Sequence, residues 1–146
     1  MRETTEAKHP QLAPKGIARD KGGENPVLLG GRCAPCDRVF FPRPQFCPHC
    51  LEPVGESELK GEGEVYSYTA VKARPPLGLP QPYALGYIDL TESGLRVFAL
   101  LDPADLDGLA LGAKVALTIG PMGKDAKGEP CLRPFFRLIE REAEHG

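Results

Sequence analysis

Tryptophan is absent from this 146-residue chain, and histidine occurs only at His9, His49 and His145. Imidazole is the commonest general base near neutral pH, so a chain this poor in it has few places for acid–base catalysis. His9 and His145 lie near the two ends and His49 stands beside a cysteine. None has a plausible Ser, Cys or Asp partner in its sequence neighbourhood, so no catalytic residues are expected. Long apolar runs are missing as well. No stretch approaches the roughly 18 apolar residues that a membrane-spanning helix needs, so no membrane partner is expected. The start, Met1-Arg2-Glu3-Thr4-Thr5-Glu6, has no apolar core of a secretory signal. The expectation is a cytoplasmic protein.

An excess of positive charge is also lacking. Lys and Arg total 18 against 20 Asp and Glu, a net charge of −2. Through Lys60 the chain has 9 basic and 8 acidic residues, and after it 9 basic and 12 acidic, so the larger part carries −3. Nucleic-acid binders draw most of their affinity from phosphate neutralisation, and no nucleic-acid partner is expected here. Cysteine is scarce too: five residues, an odd number, with four in two close pairs. In a reducing compartment that pattern points to metal binding rather than to disulfides.

Glycine and proline are abundant, together 33 of 146 residues, which favours turns over long helices. The expected fold class is mostly β: an N-terminal zinc ribbon followed by a five-stranded OB-fold barrel. Residues 1–26 are polar, broken by Pro and Gly, and expected to be flexible or to dock on a partner. Residues 27–60 are the expected ribbon. It holds a short apolar run at Val27–Leu29, a strand from Val39 to Pro44 and a polar turn from Leu51 to Lys60. Residues 61–141 are the expected barrel. Val65, Ser67, Thr69 and Val71 alternate with Tyr66, Tyr68 and Ala70, which marks its first strand. Further strands are expected at Tyr83–Leu90, Leu95–Leu101, Val115–Ile119 and Leu132–Ile139, with Pro134 an edge or bulge position in the last. A proline-rich loop fills Arg74–Pro82, one helical turn fits within Asp102–Gly112, and Gly120–Pro130 reads as a long turn. Residues 142–146 are a tail. A five-stranded open sandwich is the alternative to the barrel.

The strongest motif is Cys33-x2-Cys36, ten residues, then Cys47-x2-Cys50. A two-residue gap lets both thiolates of a tight turn face one ion, and two such turns supply four sulfurs at about 2.3 Å from zinc. Four protein ligands leave no position for water, so the expected cofactor is one structural, non-catalytic zinc per chain. A redox Cys-x2-Cys would come singly, and an iron–sulfur centre would use the same four ligands. His49 is an alternative to Cys50 as ligand, with solvent exposure its simpler fate. Cys131 reads as a small apolar residue rather than a nucleophile.

The segments Gly31-Arg32-Cys33-Ala34-Pro35-Cys36, Phe41-Pro42-Arg43, Cys47-Pro48-His49-Cys50 and Gly61-Glu62-Gly63-Glu64-Val65-Tyr66-Ser67-Tyr68-Thr69 together carry a family resemblance. Pro82–Leu90 and Leu111–Val115 extend it, so that it covers about residues 27–140. The chain resembles the zinc-ribbon/OB-fold proteins that accompany acyl-CoA enzymes. Members assist steroid side-chain aldolases, acetyltransferases that make acylated phenols, and a benzoylsuccinyl-CoA thiolase of anaerobic toluene degradation. The resemblance implies a small accessory subunit bound to a thiolase-fold catalytic subunit, as a heterotetramer. That partner would carry the catalytic Cys and His and bind most of the CoA ester. Asp37 stands where many members have Gly after the second cysteine, a left-handed position that Asp tolerates. Two rival functions are a single-strand nucleic-acid module stacking bases on Tyr66, Tyr68, Tyr83 and Tyr87, and an independent CoA-binding enzyme. Leu77 and Leu79, on the proline-stiffened loop, are expected to meet the partner.

Overall fold

The computed structural model describes residues 17–19, 26–75 and 77–139. The expectations for most of segment 1–26, for the tail at 142–146 and for His9 and His145 lie outside these residues.

Strands β1 (Ala18–Arg19), β2 (Val27–Cys33), β3 (Arg38–Phe40) and β4 (Gly55–Lys60) form an antiparallel sheet centred on β2. β4 runs along Val27–Arg32, while β1 pairs with the start of β2 and β3 with its end. The polar turn expected over Leu51–Lys60 is therefore a strand in its second half. The sequence of β4, Gly-Glu-Ser-Glu-Leu-Lys, disguises this. Only Leu59 is buried and apolar, whereas Glu56, Glu58 and Lys60 face solvent. Pairing along the whole of β2 satisfies its backbone, and Arg19 bridges Glu56 at 2.6 Å and Glu58 at 2.5 Å.

The second sheet closes. β5 (Glu62–Val71), β6 (Tyr83–Leu90), β7 (Arg96–Leu101), β8 (Lys114–Lys124) and β9 (Pro130–Leu138) follow one another around the barrel in the order β5-β6-β7-β9-β8. β8 returns to β5 through Glu62–Glu64. This is the five-stranded closed barrel expected, in the OB-fold order. β7 and β9 are parallel and meet at one pair, Leu101 with Phe136. Pro134 lies beyond that pair and opposite Ile119 of β8, so its missing N–H costs no bond to β7. The expected helical turn is a 3-10 helix at Pro103–Gly108, capped by the Asp102 carboxylate, which accepts from the Ala104 N–H at 3.0 Å.

Two expectations shift. β8 runs to Lys124, so the turn expected over Gly120–Pro130 shrinks to Asp125–Glu129, held by N–H bonds from Lys127 and Glu129 to the Asp125 carboxylate. The extra strand arises because Met122 is buried against Leu79 and Phe135. The second shift is in β5, whose alternation breaks at a bulge between Val65 and Ser67. Val65 pairs with Ile88 and Tyr68 with Gly86, both on the buried face of β6, whereas Ser67 pairs with exposed Tyr87. Val65, Tyr68 and Ala70 thus share one side of β5, with Val65 buried and Tyr68 still 37% exposed, and Tyr66 turns to the other. Gly86 permits the bulge: a Cβ there would lie 2.4 Å from the Ser67 carbonyl oxygen.

The core joins the two sheets. Ala18, Leu28 and Leu59 of the small sheet pack in one cluster with barrel residues such as Val65, Ile88, Val115 and Phe136. Each fully buried aliphatic or aromatic side chain contributes about 1.5–3 kcal/mol, so anything that loosens the small sheet also uncovers barrel core.

Candidate metal centre

Each cysteine pair sits in a turn that leaves a strand or loop and doubles back. The first pair ends β2 and the second follows the loop from Phe41. The two turns have the same backbone. The Asp37 N–H donates to the Cys33 carbonyl at 2.7 Å, and the Leu51 N–H to the Cys47 carbonyl at 2.8 Å. Asp37 has φ of 55° and Leu51 has φ of 65°, so the residue after each pair is left-handed. The departure from glycine at Asp37 is accommodated as expected. The second left-handed residue, Leu51, is one the sequence did not announce, since leucine rarely adopts that conformation.

These turns bring four sulfurs together. All four Sγ atoms lie within 4.8 Å of one another. Cys33 and Cys50 Sγ are 3.4 Å apart, and Cys36 and Cys47 Sγ are 3.9 Å apart. A tetrahedron of sulfurs about 2.3 Å from zinc has edges of about 3.8 Å, so the donor set fits a structural zinc ion. Cys33 and Cys47 are fully buried and cluster with Val54, with Phe40, Cys36 and Cys50 packed around them. That cluster has few carbon side chains, so a metal would supply the cohesion that a larger core gives elsewhere.

The electrostatics are uneven around the four thiols. Cys47 is lowered to about 7, chiefly because the Cys50 backbone N–H points at its sulfur, with help from the His49 N–H at 3.4 Å. Cys36 is pushed up to about 12 by the neighbouring Cys50 thiol and by burial. Cys33 is pulled down by the Cys36 backbone N–H, yet burial and the thiols of Cys50 and Cys47 leave it raised overall. Without a cation the cluster resists carrying four negative charges; a dication removes that cost, because thiolate is the ligand form.

The other singled-out residues fall elsewhere. His49 is exposed and is not among the clustered metal-binding groups. Cys131 is buried in the barrel wall, 3.1 Å from Arg133 Nη1 and 3.6 Å from the Met122 carbonyl. Leu79, expected to meet a partner, is instead buried at 9% exposure on Met122 and Phe135. Proline stiffening aims it at the chain's own barrel, while Leu77 remains exposed. Sequence reasoning named Tyr66 and Tyr87 as candidate stacking aromatics but missed Phe98 and the outward row that the three form. Tyr87 of β6 and Phe98 of β7 are cross-strand partners with ring centroids 5.0 Å apart. Tyr66 of β5 lies under the Arg96 guanidinium, 3.4 Å from its ring centre.

Residues 20–54 match the family model described as the ChsH2 rubredoxin-like zinc ribbon domain, and residues 56–120 match that of the ChsH2 C-terminal OB-fold domain. A benzoylsuccinyl-CoA thiolase subunit BbsA from Thauera aromatica is 33% identical over 132 residues, which is 90% of this chain and 87% of that one. The chain belongs to the ChsH2 zinc-ribbon/OB-fold family. The BbsA subunit of Geobacter metallireducens is 32% identical over 139 residues, 92% of each chain. Among solved structures, the Ltp2-ChsH2(DUF35) aldolase superposes with a TM-score of 0.61 at 30% identity, over 77% of this chain and 84% of that one. Other relatives carry a different name: a DUF35 domain-containing scaffold protein from Methanothermobacter thermautotrophicus is 31% identical over 122 residues, 82% of this chain and 78% of that one. Among the described residues no helix is long and apolar enough to cross a membrane.

Proposed function

We propose that this chain is the non-catalytic accessory subunit of an acyl-CoA thiolase-type complex, and specifically of a 2-benzoylsuccinyl-CoA thiolase acting in anaerobic toluene degradation. The observation that carries the reading is the nearly end-to-end likeness to two BbsA subunits. In this reading the ribbon spans residues 27–60 and the OB-fold barrel residues 61–141. Cys33, Cys36, Cys47 and Cys50 hold one zinc ion. Four thiolates fill its coordination shell, so the ion keeps the ribbon folded and takes no part in chemistry. The catalytic nucleophile and most of the CoA-ester site belong to a thiolase-fold partner, joined to this chain as a heterotetramer in the cytoplasm.

The test is purification of the chain from its native cells and identification of the co-purifying subunit by mass, followed by reconstitution. The chain alone should cleave no acyl-CoA, the partner alone should be poorly active, and the mixture should cleave a carbon–carbon bond at the expense of free CoA. Full thiolytic activity in the partner alone overturns the accessory role. A second reading, an accessory subunit of an acyl-CoA aldolase, is favoured by the structural likeness to the Ltp2-ChsH2(DUF35) aldolase. The same mixture separates the two, because aldol cleavage proceeds without consuming free CoA.

A further inference from the structure

The outer face of β5, β6 and β7 is built in rows. Glu64, Asp89 and Arg96 stand side by side across the three strands, and one step along them come Tyr66, Tyr87 and Phe98. Tyr66 is 51% exposed, Tyr87 44% and Phe98 56%. A fully exposed aromatic side chain presents roughly 200 Å², so these three leave about 300 Å² of contiguous ring surface in water. Half-buried Leu85 and Leu100, themselves cross-strand partners, extend the apolar area by one more row. β6 and β7 are the second and third strands of the barrel, the face on which OB-folds receive their ligands.

We propose that this face is where the chain docks on its catalytic subunit, and that the partner surface is apolar at its centre and bordered by Lys or Arg. The inference rests on the accessory-subunit reading given above. Three features favour a protein over a single-stranded nucleic acid. Tyr87 and Phe98 are packed on each other at 51°, and Arg96 already covers Tyr66, so no two rings offer parallel faces to successive bases. The border is acidic on balance: Asp89 is paired with Arg96 at 2.6 Å and Glu64 with Lys114 at 2.9 Å, and Glu62 and Glu92 add two further exposed carboxylates. Acidic borders repel phosphate and attract basic residues of a protein partner. Finally, aromatic side chains with few torsions are the anchors that dominate protein interfaces. The ring surface is well under the about 800 Å² per partner of a standard interface, so it forms the centre of a larger contact. A self-paired dimer through this face would also set the acidic borders against each other.

The experiment measures binding of the zinc-loaded chain to the thiolase-fold subunit identified by co-purification, using wild type, Phe98→Asp and Tyr87→Asp. Ala126→Asp, at an exposed residue in the turn between β8 and β9, is the control. One zinc per chain and an unchanged far-ultraviolet spectrum verify folding. The expected result is a loss of affinity of 30-fold or more for Phe98→Asp and Tyr87→Asp, with Ala126→Asp within threefold of wild type. Wild-type binding with undiminished binding by both face variants overturns the docking face and leaves the accessory role standing. No binding by wild type overturns both. Sub-micromolar binding of labelled oligothymidylate at physiological salt, or a dimer seen by sedimentation, overturns the assignment if the face variants abolish it and leave subunit binding intact.

Discussion

Gly30 lies on the central strand of the small sheet, three residues before Cys33, and touches no sulfur. A methyl group at its Cβ position would lie 2.3 Å from the Phe40 carbonyl oxygen and 2.8 Å from Leu59 Cδ1. Carbon–oxygen contacts settle at about 3.3 Å, so β2 and β3 would have to part by roughly 1 Å. The oxygen belongs to the backbone and cannot swing aside. Leu59 is held in the cluster it shares with the barrel. Overpacking of this kind costs about 3 kcal/mol. The cost falls on the sheet that sets the first cysteine turn. If zinc binding and ribbon folding are one equilibrium, the loss appears in full as metal affinity. At about 1.4 kcal/mol per tenfold, Gly30→Ala should weaken zinc about 150-fold.

The assay is competition against a chromophoric chelator at fixed pH under reducing conditions. Gly55→Ala is the control, because a Cβ at Gly55 meets nothing within 4 Å. It should bind zinc as wild type does, or slightly tighter, since it restricts the unfolded chain. Zinc affinity of Gly30→Ala within threefold of wild type would refute the coupling, and would mean that the four-thiol site forms without the sheet behind it.

Zinc affinity should fall with pH throughout the neutral range, because the raised Cys36 and Cys33 thiols must lose protons to bind metal, and more steeply below about 7, where Cys47 also takes up a proton. Protons and zinc compete for the same sulfurs, so metal-derived stability is present above the free-thiol range and lost on acidification; affinity that is flat from pH 8 to 6 would contradict this. Cys47→Ser should reduce zinc content well below one per chain, whereas Cys131→Ala should keep one zinc by elemental analysis and cost about 1 kcal/mol in chemical denaturation. Phe136→Ala should cost about 3–5 kcal/mol, because Phe136 is 1% exposed at the only registered pair between β7 and β9. Chelation of zinc should lower the melting temperature of the barrel as well as that of the ribbon, read by near-ultraviolet circular dichroism of the tyrosines, because both sheets share one core.

The features most legible in the sequence were those with a short-range physical cause. Two Cys-x2-Cys pairs announced the sulfur cluster because tight turns and four soft ligands leave little other chemistry. Tyr83–Leu90 was legible to the residue because one face, Ala84, Gly86, Ile88 and Leu90, is small or apolar throughout. β4 was not, because its identity depends on β2 rather than on its own residues. The end of β8 was hidden by Gly120, Pro121 and Gly123, which punctuate a strand kept in place by Met122 under the loop that carries Leu79.

The β5 bulge is where local pattern and fold diverge with most consequence. Strict alternation would put Tyr66 and Tyr68 on one face, either both in the core or both in solvent. One extra residue between Val65 and Ser67 separates them. Tyr68 goes to the side of Val65, and its hydroxyl donates to the Leu109 carbonyl at 3.1 Å, closing the barrel end beside the 3-10 helix. Tyr66 goes outward and joins Tyr87 and Phe98 across the sheet. Nothing in the run Val65-Tyr66-Ser67-Tyr68 signals the shift. It is set by Gly86 on the neighbouring strand, the one position where the bulged carbonyl can come so close. Gly86→Ala should therefore push the Ser67 carbonyl and Tyr68 away from β6 and shift the bulge on which the placement of Tyr66 beside Tyr87 and Phe98 depends. The same substitution that costs barrel stability should also weaken subunit docking, in a chain whose exposed rings are all still present.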